Sequence, residues 1–197
     1  MLPGPIRIDP QARSQLKDKS KMQVIGLAGW SGAGKTTLLR NLLPVLTAAG
    51  LRVSTIKRAH HNFDVDQPGK DSWVHREAGA TEVMVVSPVR FALMHELRGA
   101  PEPRLPELLV RMAEVDLVLV EGFKWEAHPK IEVFRAANGK PPLHPDDPRI
   151  VAIASDMPFP AASVPVIGLD DIVSIASAVR AHAVAAESIA WGSEPAR

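Results

Sequence analysis

Residues 26–40 read GLAGWSGAGKTTLLR, an apolar run that breaks into a glycine-rich turn and resumes at Lys35-Thr36-Thr37 with leucines behind it. Within it, Gly29-Trp30-Ser31-Gly32-Ala33-Gly34-Lys35-Thr36 fills every fixed position of GxxxxGK[S/T], the Walker A pattern. The flanks give the pattern its meaning. Met22 to Ala28 is a buried-strand run, and Leu38, Leu39, Leu42, Leu43 and Leu46 recur at helical spacing until Gly50 stops them. Glycines between a strand and a helix let backbone N–H groups converge on phosphate oxygens, and the helix amino terminus adds partial positive charge. Lys35 would reach the β- and γ-phosphates of a nucleoside triphosphate, and the Thr36 hydroxyl would coordinate Mg²⁺. Trp30 reads as packing or surface. Pro44 sits inside the helix and is expected to remove one backbone bond and bend it.

Working outward, LRVSTIKR (51–58) is a second strand, which makes the opening a βαβ unit. A polar loop and short helix near Asp71 occupy 59–80, and TEVMVVS and RFALMHEL flank Pro88-Val89, so 81–97 reads as a hairpin. PELLVRMA (106–113) is helical, and DLVLVEGF (116–123) is a strand buried on both faces. KIEVFRA and RIVAIASD are further strands around NGKPPLHPDDP, and VPVIGLDD leads into a last helix from about Asp170 to Ala185, capped by Asp170 or Asp171. Alternating strands and helices with apolar strands predict an α/β, P-loop nucleotide-binding fold: a mostly parallel sheet flanked by helices, with a β-hairpin excursion. Residues 1–21 are expected to be a flexible extension, 22–186 the nucleotide-binding domain, and 187–197 a flexible tail.

A triphosphate site also needs a carboxylate near the metal. EVDLVLVEG offers Asp116 and Glu121. Ligands gather at the carboxyl ends of parallel strands, and Asp116 begins its strand, roughly 16 Å from the end where Glu121 sits. Glu121 is therefore the metal-side candidate, and Asp116 is assigned a structural role. The loop KRAHHNFDVDQPGKDSW after the second strand has switch-like composition. Asp64, Asp66 or Asp71 could hold a metal-bound water; Lys57, Arg58 or Lys70 could meet phosphate or an anionic partner; His60 and His61 could relay a proton, bind metal transiently, or simply be polar surface.

Composition sets outer limits. The chain has 197 residues, 46% hydrophobic and 23% charged, enough for one domain with a full core. Its 23 basic and 22 acidic residues nearly cancel, so net charge argues for neither a nucleic acid nor an anionic membrane as main partner. The absence of cysteine excludes a disulfide framework and a thiolate metal site, and suits a cytoplasmic protein. No apolar run reaches the length that spans a bilayer, and no export signal is read at the amino end.

GLAGWSGAGKTTLL, VSTIKRAHHNFDVDQPGKDSWVHREAGA, DLVLVEGFK and VAIASD together resemble the molybdopterin-guanine dinucleotide biosynthesis protein B family, across most of 22–175. The HHxFxxDxxGKDS string joined to VEGFK is far more specific than Walker A alone. The resemblance implies a small GTP-binding protein, typically a homodimer, that acts as an accessory in attaching GMP to molybdopterin. The resemblance further implies that the nucleotidyl transfer is done by a separate guanylyltransferase, MobA, and that the accessory hydrolyses GTP only weakly. Carried onto this chain, Gly29, Trp30, Ser31, Gly32, Ala33, Gly34, Lys35, Thr36 and Thr37 would bind GTP and Mg²⁺. Thr36 and Glu121 would be on the metal side, and His60, His61, Lys70 and Asp71 would lie in the family's loop. The NKxD guanine signature of general GTPases is absent, and Asp156, ending IASD, is the candidate for pairing with guanine.

Two other readings compete with the accessory. An autonomous P-loop kinase or NTPase would need a water-positioning group and usually an arginine, for which Arg58 and Arg76 are available. A metal-insertion GTPase would use His60 and His61 as ligands, but no third spaced ligand demands it.

Overall fold

The computed structural model describes residues 14–16, 19, 21–59, 63–124 and 126–189. Among these, the chain divides into two compact units: the segments up to Arg58 and from Leu105 onward form one, and Ala59–Arg104 forms the other.

In chain order the elements are β1 (Gln23–Ala28), α1 (Lys35–Ala48), β2 (Val53–Lys57), α2 (Asp71–Glu77), β3 (Glu82–Val86), β4 (Phe91–His95) and α3 (Leu105–Arg111). These are followed by β5 (Leu117–Glu121), β6 (Lys130–Phe134), β7 (Ile150–Ser155), β8 (Val166–Gly168), α4 (Ile172–His182) and β9 (Val184–Ala185). The larger unit is one sheet in the order β2-β5-β1-β6-β7-β8, every neighbouring pair parallel. This is the expected mostly parallel P-loop sheet. The smaller unit carries the expected hairpin, β3 antiparallel to β4 with Val86 opposite Phe91, together with α2.

The core follows from strand alternation. Ile25, Leu27, Leu119, Ile131 and Val133 face one side of the sheet, where Leu38, Leu39, Leu42 and Leu46 of α1 and Ile175 and Val179 of α4 meet them. Each such buried aliphatic side chain stabilises the fold by roughly 2 kcal/mol. Val24, Val118 and Val120 face the other side, against Leu105 and Leu109 of α3, Phe123, Leu16, Met22 and Ile189. Leu16 and Ile189 are both almost fully buried there, though each comes from a terminal segment.

α1 passes through Pro44 without ending, because four buried leucines on one face outweigh the lost backbone bond. The last helix, expected to reach Ala185, ends at His182. Ala183 is extended, and Val184 and Ala185 pair antiparallel with Val24 and Gln23. The amino end of β1 is unpaired on that side, since β6 joins only from Gly26, and a β-branched valine suits the vacancy better than another helical turn. Asp171 is the cap, accepting from Ser174 N at 3.0 Å.

Candidate functional site

The carboxyl end of β1 runs straight into the glycine-rich loop and then into α1, as the motif requires. Gly29 has φ 153°, and a methyl group built on it would stand 2.5 Å from the Val133 carbonyl oxygen, so no side chain fits there. Gly34 has φ 97°, which only glycine adopts easily, and turns the chain into the helix with no side-chain cap. The first N–H groups of α1, from Lys35 to Thr37, have no intrahelical acceptors. They are therefore free to meet an anion, and the helix dipole favours one.

Lys35 folds back across this loop. Its Nζ donates to the Gly29 carbonyl at 2.8 Å and the Trp30 carbonyl at 2.9 Å. Burial pushes its pKa below the ordinary lysine value, Glu121 opposes that shift, and the neighbouring cations Lys124 and Lys57 add to it. Ala33 is buried beneath the loop, whereas Ser31 is exposed at its tip. Trp30 donates from Nε1 to the Pro141 carbonyl at 2.8 Å, and Lys124 Nζ lies 4.3 Å from its ring centroid.

Glu121 stands where strand-end reasoning places it. It pairs with Leu27 of β1 and Lys57 of β2 across the sheet, two residues before Gly29 along β1. Its carboxylate is mostly buried, with Lys57 Nζ 3.8 Å away. Asp116 at the opposite end of β5 takes Arg52 N at 2.7 Å and the Arg52 guanidinium at 3.3 Å, and these contacts hold its carboxyl below the usual range. It ties two strand beginnings together, which is a structural role. A Thr36 hydroxyl and a Glu121 carboxylate are hard oxygen donors that fit Mg²⁺, a cation content with one or two protein ligands beside phosphate and water. Among the described residues no three His, Cys, Asp or Glu side chains gather into a metal cage.

The far wall of the loop comes from the β6–β7 connection, which carries no sequence motif. Arg135 and Asn138 stand against Gly34 and Gly32, and Pro141 receives Trp30. Asp156, at the end of β7, accepts from Ala136 N at 2.8 Å and lies 3.9 Å from Arg135. The structure therefore brings Asp156, Glu121 and the Gly29–Thr37 loop to one edge of the sheet, and Arg135, Asn138 and Lys124 are additions to the sequence-derived set.

In the smaller unit, Lys70 and Asp71 are exposed at the start of α2. Asp64 and Asp66 are bound by Arg76, with contacts of 2.7 and 3.3 Å, and Arg76 also pairs with Glu96 at 2.9 Å. That network ties the loop to α2 and to the end of β4, and it occupies one of the two arginines that a hydrolytic reading would call on. His60 and His61 lie outside the described residues.

The model of the family described as molybdopterin guanine dinucleotide synthesis protein B matches residues 24–156, from the second residue of β1 to Asp156. The chain belongs to that family. A molybdopterin-guanine dinucleotide biosynthesis adapter protein of Escherichia coli K12 is 43% identical over 164 residues, covering 82% of this chain and 93% of the relative. Its counterpart in Haemophilus influenzae Rd is also 43% identical, over 143 residues, 71% of this chain and 78% of the relative. Among solved structures, the crystal structure of a molybdopterin-guanine biosynthesis protein B superposes with a TM-score of 0.65 at 27% identity, covering 80% of this chain and 97% of that one. For a protein B family member the match spans the phosphate loop, Glu121 and Asp156 alike.

Proposed function

We propose that this family member is a GTP-binding adapter in molybdenum cofactor biosynthesis. It holds GTP and Mg²⁺ on the Gly29–Thr37 loop for a partner guanylyltransferase, which converts molybdopterin to molybdopterin guanine dinucleotide. The observation that carries the reading is the loop itself, complete in sequence and geometry, with Lys35 resting on its own carbonyls where phosphate oxygens would replace them. Kinship with relatives named adapter proteins supplies the pathway. In this reading Thr36 and Glu121 hold the cation, Lys70 and Asp71 belong to the family's loop, and the work is cytoplasmic. No helix among the described residues is long and apolar enough to cross a membrane.

Hydrolysis by the chain alone is then slow, far below the median enzyme rate of about 10 per second. The experiment is reconstitution with the partner transferase, molybdopterin and GTP, scoring guanine dinucleotide formed with and without this chain. A higher yield supports the adapter. Rapid partner-independent hydrolysis, or phosphoryl transfer to another acceptor, would establish the autonomous enzyme in its place.

The same reading includes a homodimer built on the hairpin. Met84, Val86, Val89, Phe91 and Leu93 are exposed there, on a two-stranded sheet whose outer edges carry unpaired backbone groups. A two-stranded sheet with such an apolar surface gains stability from a further partner. Phe91→Lys should shift the sedimenting mass from two chains to one; a wild type that sediments as a monomer sinks the idea.

A further inference from the structure

Arg135 follows β6 directly and belongs to no pattern in the sequence. Its guanidinium nevertheless sits on the phosphate loop: a methyl group built on Gly34 would stand 3.6 Å from Nη2 and 3.7 Å from Nε. Gly34 immediately precedes Lys35 at the amino terminus of the 14-residue α1. Behind the guanidinium, Asp156 Oδ2 is 3.9 Å from Nη1, and Asp156 Oδ1 accepts from Ala136 N at 2.8 Å. One carboxylate thus fixes the Arg135–Ala136 step twice, through the main chain and through the side-chain charge. At 3.9 Å the ion pair is too long to consume a donor. Among the described residues no other acceptor takes one, so the planar fork keeps its N–H groups for an anion.

We infer that Arg135 contacts phosphate at this loop, and that Asp156 is a positioning residue for Arg135, not a reader of guanine. The inference rests on the reading that the loop holds a triphosphate. Arginine suits the task because its fork matches phosphate oxygens two at a time. The two arginines that the sequence offered have other contacts: Arg58 lies over the Phe123 ring at 5.5 Å, and Arg76 is held by Asp64, Asp66 and Glu96 within its own unit. Asn138, three residues on, reinforces the placement, since its Oδ1 would meet a methyl group on Gly32 at 3.3 Å. The whole Arg135–Asn138 turn lies along the glycines that shape the loop.

The test is calorimetric titration of wild type, Arg135→Ala, Arg135→Lys and Asp156→Asn with GTP, ATP and inorganic tripolyphosphate, all with Mg²⁺. Thermal melts run alongside, and Arg135→Gln substitutes for the alanine variant if that melts early. Loss of a charge-assisted contact should weaken all three ligands about tenfold in Arg135→Ala, with partial recovery in Arg135→Lys. Asp156→Asn, which keeps an acceptor for Ala136 but loses the charge, should weaken all three by one smaller factor and leave the GTP-to-ATP ratio unchanged. Wild-type affinity in Arg135→Ala overturns the phosphate contact. An altered GTP-to-ATP ratio in Asp156→Asn, with tripolyphosphate binding intact, returns that residue to the base. A wild type that prefers ATP overturns the GTP reading while a tripolyphosphate loss in Arg135→Ala still supports the contact; a wild type that binds none of the three overturns both.

Discussion

Two lysines of the larger unit, Lys35 at the start of α1 and Lys130 on β6, are both drawn out of water, and they differ in what holds them. Lys35 rests on two neutral carbonyls of its own loop, Gly29 and Trp30. Lys130 is fully buried on β6 and pairs with the Asp147 carboxylate at 3.0 Å. Burial lowers the pKa of each, with a carboxylate opposing it: Asp147 in contact for Lys130, the more distant Glu121 for Lys35. A carbonyl can give up its donor to a phosphate, and the exchange gains charge pairing. A carboxylate in an apolar setting cannot, because separation strands both charges. The partner's charge, more than depth of burial, therefore separates a cation kept for a ligand from one kept for the fold.

The contrast breaks most sharply at Asp147. Asp147→Ala should leave Lys130 buried and unpaired at a cost of about 3–5 kcal/mol. The melting temperature should fall by roughly 10 °C, and the double change Lys130→Met, Asp147→Leu should recover most of that loss. An unchanged melt for Asp147→Ala would end the claim that the pair is a lock. Lys35→Ala should do the reverse, leaving the melt nearly intact while GTP affinity drops at least about a hundredfold, the scale of a lost charged contact of about 3 kcal/mol. Equal GTP affinity in a folded Lys35→Ala protein removes the phosphate-loop assignment.

A pH titration sharpens the locked side. His128 is buried against Gly26, where a methyl group would meet its Nε2 at 2.4 Å, and among the described residues neither ring nitrogen has a hydrogen-bond partner. Burial, with Lys130 and Arg149 nearby, pushes its pKa down to about 3 from an ordinary 6.5. The unfolded chain therefore takes up the proton first. Stability from this group is full above pH 6.5 and declines as pH falls toward 3, at no more than about 1.4 kcal/mol per pH unit. Denaturant titrations across that window should show the slope, and His128→Leu should flatten it; an identical slope in both proteins refutes the assignment. The smallest effect is expected on the open side. Glu121→Gln should lower Mg²⁺-dependent GTP affinity about tenfold and leave Mg²⁺-free binding nearly unchanged, whereas equal losses would move the metal role to another group.

Much of this was legible from residue order because the signals are local. The glycines of 29–34, the leucine period of α1 and the apolar runs of β1 and β5 each report on their own few residues, and a parallel sheet then dictates which end Glu121 occupies. Hidden were features made by distant partners. Val184 and Ala185 look like one more turn of α4 until the bare edge of β1 is known. Arg135 and Asn138 sit in a stretch of proline, glycine and scattered charge, and only the path of β6 carries them to Gly34 and Gly32. Lys130 reads as a polar interruption of an apolar strand, and its partner Asp147 lies in the same unpatterned connection.

The register of β1 has a consequence for how the chain comes into being. β1 is the earliest strand among the described residues, yet none of its neighbours is close behind in the chain: Gln23 pairs with Leu117, Gly26 with Lys130 and Val24 with Val184. The strand that ends in the phosphate loop must wait until β5 has been made before it has a parallel neighbour to pair with. Long-range pairing of this kind slows folding and leaves an apolar strand exposed during synthesis. Nucleotide-binding competence should accordingly arrive only once β5 and β6 have been made and paired with β1, instead of accumulating as the glycine-rich motif emerges.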